Sequence, residues 1–175
     1  DLVDGEIERH REHGDGRIVI KCNAFVDPPM IQKMYQASQA GVPIDLIVRG
    51  MCSLQPGVPG FSESIQVRSI VGRYLEHSRI FCFGQGDRQR YYIGSADMME
   101  RNLDRRVEAL VSLGDRAHVR QLVDLVQLGH DPSVSAWHLG PDGQWTRVHH
   151  DSDGQPLRDV QQMLVERTTK RRKKS

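Results

Sequence analysis

A strand, a helix and a second strand follow one another closely near the start of the chain. The run RIVIKC alternates apolar and polar residues around Ile18 and Ile20, as a strand does. Asp27 before two prolines marks the start of a helix, and Gly41 marks its end. The run PIDLIVRG is short and nearly all apolar, which is typical of a strand buried on both faces. A strand–helix–strand unit joins parallel strands, so we predict an α/β fold with a mixed, mostly parallel sheet flanked by helices.

The rest of the chain predicts shorter elements. The Gly-, Pro- and Ser-rich residues 51–71 are expected to form a loop at the C-terminal end of the second strand, where parallel sheets usually bind ligands. SIVGRYLEHS is expected to be helical or mixed, and RIFCFGQG with RQRYYIGSAD predicts a hairpin. RAHVRQLVDLVQLGH has helical spacing, and AWHLGPDGQWTRV predicts two short strands. RDVQQMLVERTTKRRKKS is expected to begin as a helix and to end, over residues 169–175, as a disordered basic tail.

Composition narrows the class of protein. The 175 residues, 38% hydrophobic and 27% charged, are enough for one folded domain. No apolar run approaches the ~20 residues that a membrane span needs, and the charged start lacks the apolar core of a signal peptide. We therefore expect a soluble, cytoplasmic protein. Its three cysteines form no CxxC pair, so they predict neither a disulfide framework nor a zinc site.

Arg49 is the first candidate site residue, because it ends the buried strand PIDLIVRG. Burying a guanidinium is costly unless it is paired, so this arginine is expected to face an anion or a carboxylate. The forked donors of arginine suit phosphate oxygens. The alternative is an internal ion pair with Glu63 or Asp104.

His77 and Arg79 lead into the apolar run IFCF. Side chains two residues apart on an extended chain point to the same side, so these two can face one ligand. An imidazole can donate a hydrogen bond or a proton near neutral pH. The alternative is a histidine that only caps a strand through backbone hydrogen bonds.

The turn Gly94-Ser95-Ala96-Asp97 follows the next predicted strand. Backbone amides in such a turn bind anions readily, and the arginines that follow it would neutralise phosphate charge. Those arginines are Arg101, Arg105 and Arg106. The alternative is a solvated face on which they pair with neighbouring acids.

The H-x-R and I-G-S-A-D motifs resemble one half of a phospholipase D-type site, whose usual pattern is H-x-K-x4-D followed by G-S-x-N. Here Arg79 stands at the lysine position, Gly84 at the aspartate position and Asp97 at the asparagine position. These departures argue against phosphodiester hydrolysis, and the chain carries one copy of a motif that such a site needs twice. A phospholipase D-like phosphodiesterase or nuclease half-site is therefore the alternative function.

Four longer stretches carry a more specific resemblance: KCNAFVDPPMI, YQASQAGVPIDLIVRGMCSLQPGVPG, SIVGRYLEHSRIFCFG and YIGSADMMERNLDRRVE. Together they resemble the second C-terminal phospholipase D-like domain of the bacterial polyphosphate kinases. The resemblance implies that residues 1–168 are such a domain within a longer chain. It also implies reversible transfer of the terminal phosphate of ATP to polyphosphate, through a phosphohistidine in a neighbouring domain that is missing here. The resemblance further implies that magnesium assists this transfer, with ligands expected outside the present sequence.

The same resemblance implies roles for individual residues. His77 matches a catalytic histidine that contacts the phosphates, and Arg49 matches an arginine at the ATP phosphates. Lys21, Asn23 and Arg101 fall in matching motifs and are expected to bind ATP or phosphate, and no metal ligand is predicted. The implied partners are ATP, polyphosphate, the preceding domains and further copies of the enzyme, and the isolated chain is expected to be inactive. Nucleic-acid binding by the tail KRRKKS is disfavoured, because aromatic residues make up only 6% of the chain.

Overall fold

Eight strands form one mixed sheet in the computed structural model, which describes residues 1–172. The strands are β1 (Ile18–Cys22), β2 (Ile44–Val48), β3 (Ile65–Ser69), β4 (Ile80–Phe83), β5 (Arg90–Gly94), β6 (Leu110–Leu113), β7 (Ala136–Leu139) and β8 (Trp145–Val148). The helices are α1 (Leu2–His13), α2 (Pro28–Gln39), α3 (Glu100–Leu103), α4 (Arg116–His130) and α5 (Val160–Arg172). Across the sheet the strands are ordered β6-β5-β4-β1-β2-β3-β7-β8.

The centre of the sheet is parallel and its two sides are antiparallel. Strand β2 pairs in parallel with β1 on one side and with β3 on the other. The other five of the seven strand pairings within residues 1–172 are antiparallel. The predicted α/β fold with a mixed sheet is confirmed, whereas the sheet is not mostly parallel. Short connections such as those between β4 and β5 and between β7 and β8 can join only antiparallel neighbours, and these hairpins build both sides.

The predicted strand–helix–strand unit is present as β1, α2 and β2. The Asp27 carboxylate caps α2 by accepting a hydrogen bond from the Met30 amide at 3.0 Å. After the helix, Gly41 takes a φ of +89°, a value that other residues rarely adopt, and the chain turns into β2. Every residue of β1 and β2 is buried, in agreement with the apolar sequence of these strands.

Three other expectations were wrong. Strand β3 lies inside the predicted loop, where Ile65 and Val67 are buried and Gln66 between them is exposed. The stretch SIVGRYLEHS contains the last residue of β3 but no helix. Helix α5 continues to Arg172, so residues 169–172 are helical and not a disordered tail, while residues 173–175 lie outside the described part. None of the helices within residues 1–172 is both long and apolar enough to cross a membrane.

Helices cover both faces of the sheet. Ile20 and Leu46 belong to the core beneath α1 and α2, whereas their neighbours Val19 and Ile47 pack towards α4 and α5. This opposition follows from the alternating direction of side chains along a strand. It also places the polar residue Lys21 of β1 on the second face, the one that faces α4 and α5.

The segment from residue 70 to residue 79 links β3 to β4 and determines where the candidate site lies. Because β1 and β2 stand between β3 and β4 in the sheet, this crossing segment must pass over the C-terminal ends of both central strands. It carries Glu76 and His77. The topology therefore brings these residues to the end of β2, which Arg49 immediately follows.

Candidate functional site

Arg49 and His77 meet at the C-terminal end of the central strands. Arg49 Nη1 donates to the carbonyl oxygen of Glu76 at 2.7 Å and lies 3.4 Å from His77 Nδ1. Arginine has only donors, so a hydrogen bond between these two groups requires Nδ1 to be the acceptor. His77 is exposed and Arg49 is partly exposed. The two groups predicted to share an anion are thus neighbours at the surface.

Arg49 does not form the internal ion pair that was the alternative. Within residues 1–172, its side chain makes no ion pair with Glu63 or Asp104. Its backbone amide instead donates to the Cys22 carbonyl at 3.1 Å, which ties the residue to the end of β1. The guanidinium therefore keeps donors for a ligand.

Lys21 lies beneath the crossing segment. Its side chain is 2% exposed, and Nζ contacts the carboxylate of Glu76 and lies 3.5 Å from the Ser78 carbonyl. Ser78 donates to the same carboxylate from its amide and its hydroxyl, at 3.2 and 2.6 Å. Burial lowers the pKa of the Lys21 ammonium to about 8, and the nearby charges of Arg49 and Arg79 lower it further. Lys21 therefore supports the segment that carries His77, and a direct contact with phosphate would require its ammonium to become exposed.

Arg79 faces Asp97 and not a ligand shared with His77. Arg79 donates to both carboxylate oxygens, from Nε at 3.2 Å and from Nη2 at 2.9 Å. The backbone amide of Asn23 donates to the same carboxylate at 2.7 Å, so Asp97 also caps the end of β1. The side chains of Arg79 and Asp97 are 12% and 9% exposed. Arg79 Nη1 donates in addition to the His77 carbonyl at 3.2 Å, so this buried pair holds the crossing segment from below.

This ion pair explains two departures from the phospholipase D pattern. Arg79 and Asp97 stand where that pattern has lysine and asparagine, and here they neutralise one another. Burial by itself would raise the pKa of Asp97, but the hydrogen bonds from Arg79 and from the Asn23 amide hold it below its ordinary value. Asp97 is therefore an anion at neutral pH, held within the protein by these donors.

We expect the Asp97 carboxylate to make the stability of the chain depend on acid pH. Its pKa is lower in the folded chain than in the unfolded chain, so its stabilising contribution is complete above about pH 4 and is lost as the pH falls through the folded value. Urea denaturation of the wild type and of Asp97→Asn across this range would measure the effect. The variant should lack this part of the acid dependence, and identical profiles for the two proteins would contradict the assignment.

Two of the four backbone amides in the turn after β5, which its sequence predicts to bind an anion, are already paired within the protein. The Gly94 amide donates to the Arg79 carbonyl at 3.2 Å, and the Ser95 amide donates to the Ala109 carbonyl at 3.1 Å. The Ser95 hydroxyl contacts the Glu108 carboxylate. Both amides thus serve the pairing of β5 with its neighbours and are not available to a ligand.

Asn23 and Arg101 differ in their relation to the site. Asn23 is buried at the end of β1, and its side-chain oxygen has no hydrogen-bond partner among the described residues. Arg101 is exposed on α3, and no hydrogen bond or ion pair within residues 1–172 connects it to Arg49 or His77. The structure therefore brings four predicted residues to the ends of β1 and β2, with Arg49 and His77 at the surface and Lys21 and Asn23 below.

The fold places the chain in a broad structural class. It resembles NucT from Helicobacter pylori, with a TM-score of 0.51, 11% identity, and coverage of 73% of this chain and 86% of that one. It also resembles Nuc from Salmonella typhimurium, a phospholipase D family member, with a TM-score of 0.53, 13% identity, and coverage of 84% and 88%. The chain is therefore an α/β domain of the phospholipase D-like fold.

Sequence comparison identifies the family. Residues 1–159 match the family described as polyphosphate kinase C-terminal domain 2, and the chain belongs to this family. It is 53% identical over 167 residues to polyphosphate kinase of Streptomyces coelicolor and 46% identical over 173 residues to polyphosphate kinase 1 of Chlorobaculum tepidum. These alignments cover 95% and 99% of the chain but only 22% and 24% of the relatives.

A solved structure agrees with this assignment. The crystal structure of polyphosphate kinase from Porphyromonas gingivalis superposes with a TM-score of 0.89 at 34% identity. The match covers 99% of this chain and 26% of that one. The chain thus spans about a quarter of the length of the polyphosphate kinases that it resembles.

Proposed function

We propose that the chain forms the part of a polyphosphate kinase that holds the phosphates of ATP during transfer to polyphosphate. The observation that carries this proposal is the 3.4 Å approach of Arg49 Nη1 to His77 Nδ1 at the exposed ends of the parallel strands. A cation and an imidazole side by side at this edge suit a phosphoryl group, which carries charge on several oxygens. Within the proposal, Arg49 binds the phosphate oxygens and His77 donates a hydrogen bond or a proton.

Phosphoryl transfer depends mainly on positioning the reacting oxygens in line and neutralising their charge. The site needs no apolar pocket for this chemistry, but it needs donors held in fixed places. Arg49 is fixed by its bond to the Glu76 carbonyl, and the segment carrying His77 is fixed by the Lys21–Glu76 and Arg79–Asp97 pairs. These two pairs form a buried layer beneath His77, and this buried layer supplies the preorganisation that the transfer requires.

The proposed enzyme is larger than this chain. We infer that the histidine that becomes phosphorylated belongs to another domain, and that His77 assists a transfer whose covalent intermediate forms there. The share of each relative that the chain covers, 22% to 26%, is compatible with such a division of the site.

Magnesium is implied by the family, but the described residues do not fit a magnesium site of their own. Within residues 1–172, no group of three or more His, Cys, Asp or Glu side chains is arranged to hold a metal ion. The acids nearest to the candidate site, Glu76 and Asp97, are each engaged with a buried cation. We therefore place any magnesium ligands elsewhere in the enzyme and derive no step of the chemistry through the metal.

Incubation of the enzyme that contains this chain with ATP and Mg²⁺ tests the proposed function. We expect acid-insoluble phosphate polymer to accumulate, with one molecule of ADP formed for each phosphate that is added to the polymer. The 175-residue chain alone is the control, and it should form no polymer because the remaining part of the site is absent. Cleavage of a phosphodiester without metal, together with no polymer from ATP, would instead support the nuclease-like alternative.

A further inference from the structure

The crossing segment needs an anchor ahead of His77. Residues 70–79 contain no helix or strand, and three of their apolar side chains are largely exposed: Val71 at 55%, Tyr74 at 55% and Leu75 at 80%. Exposed apolar side chains contribute little to holding a segment in place. The contacts made by Lys21 and Arg49 hold the segment only from Glu76 onwards.

Gln161 of α5 supplies an anchor before that point. Its side-chain oxygen accepts from the Tyr74 amide at 2.6 Å, and its side-chain nitrogen donates to the Tyr74 carbonyl at 2.6 Å. A neighbouring strand would engage the two backbone groups of one residue in the same way. Gln161 is only 6% exposed, so the amide is committed to this contact and is not a solvated surface group.

The backbone that carries Gln161 is itself firmly placed. Val160 is 2% exposed and packs in one cluster with Ile47 and Ile70, the first residue of the crossing segment. The Asp159 carboxylate accepts from the Gln162 amide at 2.9 Å at the beginning of α5. The helix start is therefore bound to the sheet, and the glutamine projects from a rigid support.

Gly72 allows the segment to approach the glutamine closely. A Cβ atom at this position would lie 2.6 Å from Gln161 Oε1 and 3.0 Å from Asp159 Oδ2. A larger residue would force either the segment or the side-chain end of Gln161 to move, and either movement would disturb the two bonds to Tyr74. The contact is thus built from both sides, with a glycine in the segment and a buried amide on the helix.

We propose that Gln161 is a positioning residue for His77. By binding both main-chain groups of Tyr74, three residues before His77, it sets where the imidazole lies relative to Arg49. This inference rests on the proposed function, since it assigns Gln161 to the same phosphate-binding site. Helix α5 then becomes part of the active-site support, although Gln161 touches neither the substrate nor the reacting atoms.

Gln161→Met tests the inference in the enzyme that contains this chain, because methionine keeps the length of the side chain and removes both hydrogen bonds. We expect kcat for polymer formation from ATP to fall about ten- to a hundredfold, with KM for ATP changed less than about twofold, because Arg49 still binds phosphate. Gln161→Glu keeps the acceptor for the Tyr74 amide and loses the donor, so its kcat should lie between those of Gln161→Met and the wild type. Gln162→Met is the matched control on the exposed side of α5 and should retain the wild-type kcat.

Two further measurements separate the possible failures. A kcat loss in Gln161→Met that is matched by an equal loss of folded protein, measured by circular dichroism, would overturn the positioning role. A wild-type kcat in Gln161→Met, with His77→Gln inactive in the same assay, would overturn this inference and leave the proposed function standing. A wild-type kcat in His77→Gln would overturn the proposed function, and the role of Gln161 with it.

Discussion

His77→Gln should lower the rate of polymer formation from ATP about 10²- to 10⁴-fold in the enzyme that contains this chain, the range expected when a general acid or base is lost. Glutamine has a similar reach and can still donate a hydrogen bond, but it cannot carry and release a proton. Arg49 keeps its bond to the Glu76 carbonyl in this variant, so binding of the phosphates should survive. The loss should therefore appear in kcat, with a much smaller change in KM for ATP.

His149→Gln is the matched control, because it makes the same chemical change at an exposed histidine beyond β8. His149 packs against His150, with ring centroids 4.3 Å apart, and within residues 1–172 no hydrogen bond or ion pair connects its side chain to Arg49 or His77. This variant should keep the wild-type kcat. If His77→Gln also kept at least half of that kcat, His77 would have no catalytic role and the phosphate-binding assignment would lose its main residue.

Local patterns in the sequence predicted part of the fold correctly. The capping aspartate, the apolar strands and the helical period are set by neighbours in the chain, so β1, α2, β2, α4 and the β7–β8 hairpin could be predicted. Strand β3 was missed because it lies in a Gly-, Pro- and Ser-rich stretch whose composition favours a loop, and no element was predicted for the stretch that contains β6. They are strands because a partner extends them, with Ile65 paired to Ile44 and Leu113 paired to Tyr91.

The exposed part of the site could be predicted, and its buried layer could not. An arginine after an apolar strand and a histidine before another are visible as sequence patterns, and the family motifs contain both. The partners of Lys21 and Arg79 are 55 and 18 residues away from them, at Glu76 and Asp97, so nothing local reveals the pairs. The sequence offered one indication that Glu76 belongs to the site, because this acid lies directly beside His77.

The buried layer also explains why H-x-R does not act as a unit. The residue spacing predicts that His77 and Arg79 face the same side, as they would on an extended strand. Strand β4 begins only at Ile80, however, so His77 lies outside the strand and Arg79 directly precedes it. Arg79 turns inwards to Asp97, and His77 stays in the crossing segment at the surface. One residue of the motif thus supports the fold, and the other is left to meet a ligand.

Asp97→Ala should reduce the free energy of unfolding of the 175-residue chain by about 3–5 kcal/mol, the usual cost of removing one partner from a buried ion pair. The Arg79 guanidinium, 12% exposed, would be left without a counter-charge. The Asn23 amide would lose the carboxylate that it donates to at 2.7 Å, which adds an unsatisfied donor at the end of β1. Urea denaturation of the wild type and the variant, analysed with a common slope, measures the difference.

Glu100→Ala is the matched control, since it removes a carboxylate from an ion pair that has a similar length but lies in solvent. The Arg105–Glu100 pair spans 2.6 Å with side chains 74% and 61% exposed, so its loss should cost less than about 1 kcal/mol. Arg79→Met combined with Asp97→Ala removes both charges, and we expect it to be clearly less destabilising than the sum of the two single changes. Additive single changes, or a loss in Asp97→Ala no larger than in Glu100→Ala, would show that Arg79 and Asp97 do not act as a coupled buried pair. The crossing segment would then have to be held beneath His77 by the Lys21–Glu76 contact.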